Sequence, residues 1–360
     1  MNNIVKEVLK KIEENGYKAY LIGGYTRDFL LDKSNDDYDI CTNAKKEELE
    51  NIFDIPLVEN YGSIILIYKD LKFEITTFRK ETMYNEIRTP SIEYTQLLEE
   101  DIKRRDFTIN TICMNSNDEI IDILNGKEDL KNKIIRCVGP IKRKMSEDPL
   151  RILRAIRFAC ILDFKIEEEL SNFIMNNSEL VKNLSFFRKK QELDKIFNSD
   201  NCIYGLSLLK KYHLLKHLNL KAGKVKATSS YLGIWAQFEY PTEYPFTSKE
   251  KKKIEIIRNI VNQKNITNLD LYNYGLELSL IASQILNLNN NDIKDRYEAL
   301  IIKDKKEIDI TTDEILKLTS IKVSFIYKVL EKKILYKELK NNKEDIIEFI
   351  KKLNINDIDK

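Results

Sequence analysis

The spacing of apolar and polar residues changes about a third of the way along the chain. Up to about residue 125, short β-rich runs such as AYLIGG, DYDICT, SIILIYKD, LKFEITTFR and EIIDIL alternate with helical stretches and turn residues. From about residue 140 onward, apolar residues recur at helical spacing in segments such as EDPLRILRAIRFACIL and FRKKQELDKIF. The pattern predicts an α+β fold, with a small head of mixed sheet and helices followed by an all-α body.

The N-terminal segment MNNIVKEVLKKIEENGY predicts an amphipathic helix that ends at Gly16, not a signal peptide. No apolar run approaches the ~20 residues that a membrane span needs. The five cysteines lie far apart without a CxxC pair, and there are only two histidines, which argues against a zinc site or a disulfide framework. We therefore expect a cytoplasmic protein that does not bind a membrane.

Total charge indicates no partner, because Lys+Arg 60 and Asp+Glu 58 nearly cancel. One region is locally basic: residues 201–238 contain no acidic residue. This region favours an RNA backbone as partner through Lys210, Lys211, Lys216, Lys221, Lys224 and Lys226. Trp235 lies nearby at helical spacing with other aromatic residues, where stacking on a base is possible but a place in the core is favoured.

The turn GGYTRD follows the first predicted strand. Glycines such as Gly23 and Gly24 let the backbone come close to a ligand, and a helix that begins after them points its N–H groups toward an anion. Arg27 on the first turn of that helix would add a charge-assisted bond to a phosphate oxygen. Taken alone, the turn is more typical of a tight strand-to-helix connection with an arginine on the surface.

The next strand carries Asp37 and Asp39, which face the same side because side chains alternate along a strand. Two adjacent carboxylates repel each other unless a cation lies between them, and Mg²⁺ is commonly held by one or two carboxylates together with substrate phosphates. The alternative is an acidic strand end in solvent. A phosphate-binding turn followed by a carboxylate pair is a more specific signal than either feature alone. The combination predicts a metal-dependent reaction on a triphosphate.

Two later segments contain further candidates. Glu74, in KFEITTFR, would join the carboxylate pair if its strand were a neighbour; otherwise it is an ordinary exposed strand residue. The segment KRRDFTINTI contains Arg104, Arg105, Asp106 and Asn110. A basic pair beside an aspartate suits a phosphate and a ribose hydroxyl, although the same residues also fit a solvated helix start.

The helix EDPLRILRAIRF is the most informative, because Arg151, Arg154 and Arg157 recur along one side while leucine, isoleucine and phenylalanine cover the others. A line of arginines is costly unless an anion meets it, and a triphosphate or an RNA backbone would do so. The alternative is a solvated stripe behind Asp148 as N-cap.

In order and spacing, LIGGYTRD…DDYDICT, KRRDFTIN, DILNGKEDLKNKIIRCVG and EDPLRILRAIRF resemble the motifs of class II tRNA nucleotidyltransferases, the CCA-adding enzymes. These enzymes share their head with bacterial poly(A) polymerases. The resemblance covers about residues 15–200. It implies a nucleotidyltransferase palm over residues 1–138, a helical neck that binds the nucleotide over 139–200, and a helical body and tail that bind tRNA over 201–360.

The resemblance also implies roles for individual residues. The metal pair falls on Asp37 and Asp39, and the EDxxR element, which reads the base edge of the nucleotide through its aspartate and arginine, starts at Glu147. The nucleotide-binding residues it implies are Gly24, Arg27, Arg105, Asp106, Asp148, Arg151, Arg154 and Arg157, and we add Gly23, Glu74, Asn110, Glu147 and Arg188 as further candidates. Phe187 departs from the family, which has a glutamate there.

The implied activity is addition of the 3′-terminal CCA to tRNA from CTP and ATP, with two Mg²⁺ ions, release of pyrophosphate and no obligate protein partner. The loop RKETMYNEIRTPSIEYTQLLEED is essentially full length for the family, which favours an enzyme able to add the terminal A. An A-adding enzyme and a bacterial poly(A) polymerase remain alternatives within the family. A non-catalytic RNA-binding protein is the alternative from another class.

Overall fold

The computed structural model describes residues 1–60, 62–84 and 90–353. The chain divides into two compact units, Met1–Asn219 and Leu220–Lys360. The predicted palm and neck both fall in the first unit, and the three-part division remains a prediction. Within the loop that bears on A addition, residues 85–89 lie outside the described residues.

The strands of the first unit are β1 Ala19–Ile22, β2 Tyr38–Thr42, β3 Val58–Asn60, β4 Ser63–Tyr68, β5 Leu71–Thr77, β6 Arg79–Tyr84, β7 Pro90–Tyr94, β8 Cys113–Met114, β9 Ile120–Ile121, β10 Ile134–Ile135 and β11 Lys165–Ile166. A seven-stranded sheet has the order β3-β4-β5-β2-β1-β8-β9, while β6 pairs with β7 and β10 with β11. The strand β11 is an exception to the all-helical region predicted from residue 140 onward. Its two residues pair in parallel with β10.

The central strands β2 and β5 run parallel, with Tyr38 opposite Phe73 and Asp39 opposite Glu74. Tyr38 and Phe73 are buried in the core on one face of the sheet, with their ring centroids 5.5 Å apart. Because side chains alternate across a strand, Asp39 and Glu74 lie together on the other face. Packing of the aromatic pair therefore sets the register that brings the two carboxylates side by side.

The helices of the first unit are α1 Asn3–Glu14, α2 Gly24–Leu30, α3 Lys46–Phe53, α4 Leu98–Arg104, α5 Gly126–Asn132, α6 Ile141–Glu147, α7 Leu150–Leu162, α8 Glu168–Asn176, α9 Phe186–Phe197, α10 Cys202–Lys211 and α11 Leu214–His217. Shorter 3₁₀ helices cover Thr108–Asn110 and Ser178–Asn183. The apolar face of α1 packs into the sheet core, and the predicted end of this helix near Gly16 is confirmed.

Helix α7 is the central helix behind the site. It packs against α9, α10, β10 and β11. Ile152, Leu153 and Ile156 are fully buried. Since these apolar residues occupy the faces of α7 that pack on neighbours, the remaining face carries its arginines toward the sheet.

The helices of the second unit are α12 Tyr231–Ala236, α13 Ser248–Asn262, α14 Asn268–Leu286, α15 Asn290–Glu298, α16 Thr312–Leu318, α17 Val323–Leu335 and α18 Lys343–Lys352, with a 3₁₀ helix at Lys305–Glu307. Trp235 is fully buried, and its ring centroid lies 5.3, 5.1 and 5.0 Å from those of Tyr240, Tyr244 and Phe246. The prediction that Trp235 belongs to the core is confirmed. In the described part of the chain, no helix is long and apolar enough to cross a membrane.

Gly126 opens α5 where that helix meets the 3₁₀ helix Thr108–Asn110. A Cβ atom at this position would overlap the carbonyl oxygen of Thr108 and lie 2.8 Å from Cγ1 of Ile112. We therefore expect Gly126→Ala to lower the free energy of unfolding by about 1–3 kcal/mol, as overpacking does. Thermal unfolding followed by circular dichroism measures this.

Gly223→Ala is the matched control for Gly126→Ala, because a Cβ atom there would meet no heavy atom within 4 Å. Its melting temperature should stay close to that of the wild type. Equal melting temperatures for the Gly126→Ala variant and the wild type would contradict the close contact between α5 and the 3₁₀ helix.

Candidate functional site

A cleft of about 600 Å³ in the first unit brings together most of the residues predicted from the sequence. Its lining includes Gly23, Gly24, Arg27, Asp37, Asp39, Arg105, Asp106, Asn110, Asp148, Arg151, Arg154, Arg157 and Arg188. Glu74 and Glu147 do not line this cleft. Segments separated by more than a hundred residues in the chain therefore form one site.

The Gly-Gly turn lies directly against the carboxylate pair. Gly23 has φ 80° and ψ −129°, a conformation that favours glycine, and a Cβ atom there would lie 3.3 Å from Oδ2 of Asp39. Gly24 begins α2, and a Cβ atom at this residue would lie 3.4 Å from Nδ2 of Asn35. A larger residue at either position would crowd these neighbouring side chains of the cleft.

Arg27 is buried, unlike the surface arginine of the alternative interpretation. Its Nε and one terminal nitrogen donate to the Asp28 carboxylate at 2.8 and 2.9 Å, and the other terminal nitrogen donates to Oδ1 of Asn110 at 2.9 Å. Asn110 in turn donates to Oδ1 of Asp106 at 3.1 Å. Arg154 donates to Oδ2 of the same Asp106 at 2.7 Å, so one chain of polar contacts joins α2 to α7.

The ionised form of Asp106 is favoured in spite of its burial. Burial alone would raise the pKa of this carboxyl, but the Arg154 guanidinium, the Asn110 amide and the backbone N–H of Phe107 together lower the pKa below its ordinary value. Asp106 is therefore a fixed negative charge under the arginines of the cleft.

The predicted carboxylate pair lies at the start of β2. Asp37 is exposed and precedes the strand, whereas Asp39 lies within it and is half-buried. Burial first, and then the charges of Asp37 and Glu74, raise the pKa of Asp39 to about 7. Glu74, whose Oε1 accepts from the Ser63 hydroxyl at 2.6 Å, is the neighbour of Asp39 across the β2–β5 register.

The arginines of α7 are largely buried or paired, in contrast to the solvated stripe of the alternative interpretation. Arg151 donates to the carbonyl oxygen of Lys144 at 2.8 Å, and Arg157 pairs with Glu192 at 3.1 Å. Both arginines are less than one tenth exposed, with 8% for Arg151 and 7% for Arg157. Each guanidinium is held by a neighbouring helix, so the arginine face of α7 is rigid.

Phe158 lies under three guanidinium groups, one from α2 and two from α7. Its place in the site was not predicted from the sequence. The central carbon atoms of Arg27, Arg154 and Arg157 lie 5.4, 5.3 and 4.4 Å from its ring centroid. A ring face attracts cations within about 6 Å, so one aromatic side chain helps to gather three positive charges. Because the arginines come from two helices, no sequence spacing indicated this contact.

Asp148 and Glu147 do not open α7 as the sequence suggested. Glu147 is the last residue of α6, and extended backbone at Asp148 (φ −137°, ψ 95°) separates the two helices before Pro149. Oδ1 of Asp148 accepts from the N–H of Leu150 at 3.2 Å, and Oδ2 pairs with Arg188 at 3.0 Å. Glu147 pairs instead with its neighbours Arg143 and Arg151, outside the cleft.

Helix α9 supplies further residues to the site. Phe187, at the position of the family glutamate, has 58% of its surface exposed and does not line the cleft. The neighbouring Arg188 and Lys195 do line it, and Glu192 anchors Arg157. The cleft lining also contains Arg104, the other member of the predicted basic pair, and Asn35, Leu150, Phe158 and Lys195, which were not among the predicted site residues.

The predicted RNA-binding lysines fall on both sides of the unit boundary at Asn219 and Leu220. Most of their side chains are exposed: Lys210, Lys211, Lys216, Lys221 and Lys224. Lys226 is half-buried and donates to the carbonyl oxygen of Ile285. Their contact with RNA stays a prediction, and Lys226 is the least suited of them.

Comparison with known protein families gives matches along most of the chain. The model of the poly A polymerase head domain matches residues 19–136. A model described as a probable RNA and SrmB-binding site of polymerase A matches residues 163–222, and one of tRNA nucleotidyltransferase domain 2 matches residues 242–350.

Individual relatives match over almost the entire length. The chain is similar to the CCA-adding enzyme of Ligilactobacillus salivarius, with 34% identity over 96% of this chain and 95% of the relative. It is 33% identical to that of Lactococcus lactis subsp. cremoris, over 96% and 95%. The crystal structure of the Bacillus stearothermophilus CCA-adding enzyme in complex with CTP has the same fold, with a TM-score of 0.84 at 24% identity over 97% of both chains. On the strength of its full-length sequence identity to such relatives, the chain belongs to the family of CCA-adding enzymes, which are nucleotidyltransferases.

Proposed function

We propose that this protein adds the 3′-terminal CCA to tRNA, using CTP and ATP and working in the cytoplasm, where its substrate is found. The 3′-hydroxyl oxygen of the tRNA attacks the α-phosphorus, a new phosphodiester bond forms, the bond to the β-phosphate oxygen breaks, and pyrophosphate leaves. Family membership supports the reaction. The assignment of roles to residues rests on one observation: a single cleft is lined by the Gly-Gly turn, by Asp37 and Asp39, and by the arginine face of α7.

The carboxylates fit Mg²⁺. In the described residues, no three His, Cys, Asp or Glu side chains form a complete metal site by themselves. This agrees with Mg²⁺, which keeps waters and takes its other ligands from substrate phosphates. Asp37 and Asp39 would hold the ions, and a cation would relieve the repulsion that raises the pKa of Asp39. Two bound ions would favour ionisation of the 3′-hydroxyl and neutralise the departing pyrophosphate.

The triphosphate would lie between the Gly-Gly turn and the arginines. Gly23 and Gly24 allow close backbone approach, and Arg27 and Arg154, both over the ring of Phe158, add positive charge from α2 and α7. Both arginines are already held by carboxylates, Asp28 and Asp106. Because these side chains are ordered before the nucleotide binds, little conformational entropy is lost on binding, and the positive charge is fixed where the pyrophosphate forms.

Asp148 and Arg151 would read the base edge of the nucleotide. An acceptor and a multiple donor on one turn can pair with cytosine and, after a small rotation of the side chains, with adenine. Arg188 holds Asp148 at 3.0 Å, and the carbonyl of Lys144 holds Arg151 at 2.8 Å. These contacts would orient both side chains and so limit the nucleotides that fit.

Three products distinguish the candidate functions when the purified protein is incubated with Mg²⁺ and a tRNA lacking its 3′ CCA, with CTP, ATP or both. We expect stepwise addition that stops at CCA. An adenosine tail from ATP alone would indicate a poly(A) polymerase, and addition of A only to a tRNA already ending in CC would indicate an A-adding enzyme.

The metal pair is tested by Asp37→Ala and Asp39→Ala, singly and together. We expect each change to reduce nucleotide incorporation at least about a thousandfold, since metal charge stabilises the transition state, and to leave tRNA binding in a filter assay nearly unchanged. Asp36→Ala removes an exposed neighbouring carboxylate and should keep wild-type activity. Full activity in the double variant would refute the metal assignment, whereas a wild-type protein that binds tRNA but incorporates no nucleotide would favour the non-catalytic alternative.

The charge on Asp39 also gives a prediction that needs no turnover. Because the folded-state pKa is raised from 3.8 to about 7, ionisation destabilises the fold progressively as pH rises between these values. In metal-free buffer, Asp39→Asn should therefore melt higher than the wild type, by about 2–8 °C at pH 8 for about 1–2 kcal/mol, and by less at pH 5.

Magnesium should raise the melting temperature of the wild type at pH 8 and have little effect on the Asp39→Asn variant. Asp36→Asn serves as the control, because it removes an exposed neighbouring carboxylate and keeps Asp39, so its melting temperature should respond to Mg²⁺ as that of the wild type does. An equal response to Mg²⁺ in Asp39→Asn and wild type would show that the ion binds elsewhere.

Base selection is tested by Asp148→Ala and Arg151→Ala. We expect the preference for CTP and ATP over UTP and GTP, measured as ratios of kcat/KM, to fall at least about tenfold in each variant, while the Kd for tRNA changes less. Arg143→Ala, on the exposed side of α6, should keep wild-type selectivity. Unchanged selectivity in both variants would mean that another part of the chain chooses the nucleotide.

A further inference from the structure

A second, smaller cavity lies beside the carboxylates, on the side of Glu74. It measures about 180 Å³, and its lining includes Glu74, Thr76 and Arg79. Asp39, Arg104 and Arg105 line both this cavity and the larger cleft. We call it the side cavity. Two cavities therefore meet at the carboxylate on which the proposed reaction depends.

The arginines of the side cavity are organised by one carboxylate, Asp101, which is fully buried. Nε of Arg104 donates to its Oδ1 at 2.8 Å, and a terminal nitrogen of Arg105 donates to its Oδ2 at 3.1 Å. The backbone N–H of Arg79 donates to Oδ1 at 3.2 Å. Asp101 thus contacts three arginines of the side cavity: Arg104 at the end of α4, Arg105 directly after it, and the backbone of Arg79 in β6.

Positive charge in the side cavity is only partly satisfied within the protein. A terminal nitrogen of Arg79 donates to the carbonyl oxygen of Gly62 at 3.3 Å, a long contact. The buried Nε atoms of Arg79 and Arg105 have no hydrogen-bond partner in the described part of the chain. Unsatisfied buried donors are rare in native proteins, so the Nε atoms of Arg79 and Arg105 favour a ligand with acceptor oxygens, such as a phosphate, which Asp39 and Glu74 of the same lining do not replace as hydrogen-bond partners.

The size and lining of the side cavity limit what it can hold. Its volume is below the roughly 300–1,000 Å³ of sites for whole small molecules, so it suits a part of a larger ligand. No aromatic side chain is among its described lining residues, so nothing there would stack on a base. Its donors suit phosphate and ribose, whatever the base attached to them.

An in-line displacement requires the attacking and leaving oxygens on opposite sides of the phosphorus. In the proposed function, the triphosphate occupies the larger cleft, so the RNA end must approach Asp39 from another direction. We propose that the side cavity binds the last sugar-phosphate of the acceptor RNA, with Arg79 as the residue that contacts its terminal phosphodiester. This inference rests on the proposed function and deepens it.

Recognition by sugar and phosphate alone suits repeated addition. The terminal base of the acceptor changes after each nucleotide is added, whereas the backbone at the end of the RNA stays the same. A site without base contacts accepts each new end in turn, and nucleotide selection is left to the larger cleft. Arg79 is thus a positioning residue for the acceptor, separate from the residues that choose the nucleotide.

The test compares steady-state kinetics of Arg79→Ala, Arg79→Lys and wild type on a tRNA lacking CCA. We expect Arg79→Ala to raise KM for the RNA about tenfold or more, with little change in KM for CTP, and Arg79→Lys to recover part of the loss. Arg188→Ala is the matched arginine of the larger cleft and should show the opposite pattern, with a higher KM for CTP. Arg143→Ala, exposed on α6, should show neither effect.

A modified RNA tests the contact directly. Replacing the last phosphodiester of the acceptor by an uncharged methylphosphonate should weaken wild-type kcat/KM about tenfold and affect Arg79→Ala much less, since the variant lacks the partner charge. Equal losses in wild type and Arg79→Ala, or a rise in KM for CTP alone, would overturn the inference. If Arg79→Ala does not fold, Arg79→Gln, which also lacks the charge but keeps more of the side chain, takes its place in the same comparison.

The outcomes separate the two proposals. A wild-type protein that adds no nucleotide to any tRNA would refute the proposed function and with it the role of the side cavity. A wild-type protein that adds CCA normally, but is insensitive to the charge of the last phosphodiester, would refute the side cavity alone.

Discussion

Burial of arginine beside carboxylate is the constraint on which this active site depends. An unpaired guanidinium inside a cleft costs several kcal/mol, so each arginine that lines the site must be matched or must meet a ligand. Asp28 holds Arg27, Asp106 holds Arg154, and Glu192 holds Arg157. These pairs fix the positions of the positive charges before a substrate arrives, which is the condition for strong electrostatic catalysis. The Arg157–Glu192 pair also joins α7 to α9, and Asn110 links Arg27 of α2 to Asp106, so the site and the fold of the first unit depend on the same contacts.

Carboxylates on the sheet are arranged in the opposite way. Asp39 and Glu74 are neighbours across β2 and β5, and Asp37 precedes the same strand. Burial, followed by repulsion from Asp37 and Glu74, raises the pKa of Asp39 to about 7, whereas Arg154 and hydrogen bonds keep the pKa of the buried Asp106 low. The raised pKa of Asp39 indicates a place where a cation would bind. The lowered pKa of Asp106 indicates a place where the protein supplies the positive charge itself.

In the proposed function, the two cavities would divide the work of nucleotide addition. The larger cleft contains the groups proposed to distinguish bases, Asp148 and Arg151, whereas charged side chains, with Thr76 and Ile22, line the side cavity. Asp101 has no place in the larger cleft, yet it orients Arg104 and Arg105, which line both cavities. Through these arginines, a single buried carboxylate would couple the position of the acceptor to that of the nucleotide.

Local patterns in the sequence determined the secondary-structure elements and the types of side chain that form the site. Strand alternation identified Asp37 and Asp39 as a pair, the glycine turn pointed to a close backbone approach, and helical spacing showed that α7 carries its arginines on one side. Trp235 was correctly assigned to the core from spacing alone. These features depend on contacts between residues near in sequence, which periodicity records.

Contacts between distant segments were decided only by the tertiary structure. The β2–β5 register made Glu74 a neighbour of Asp39, and the packing of α2 on α7 placed Phe158 under arginines of both helices. Extended backbone at Asp148 moved Glu147 out of the cleft, against the prediction from its motif. Asp101 and Arg79 had no sequence signal at all, because a lone buried charge is recognisable only once its partners from other elements are in place.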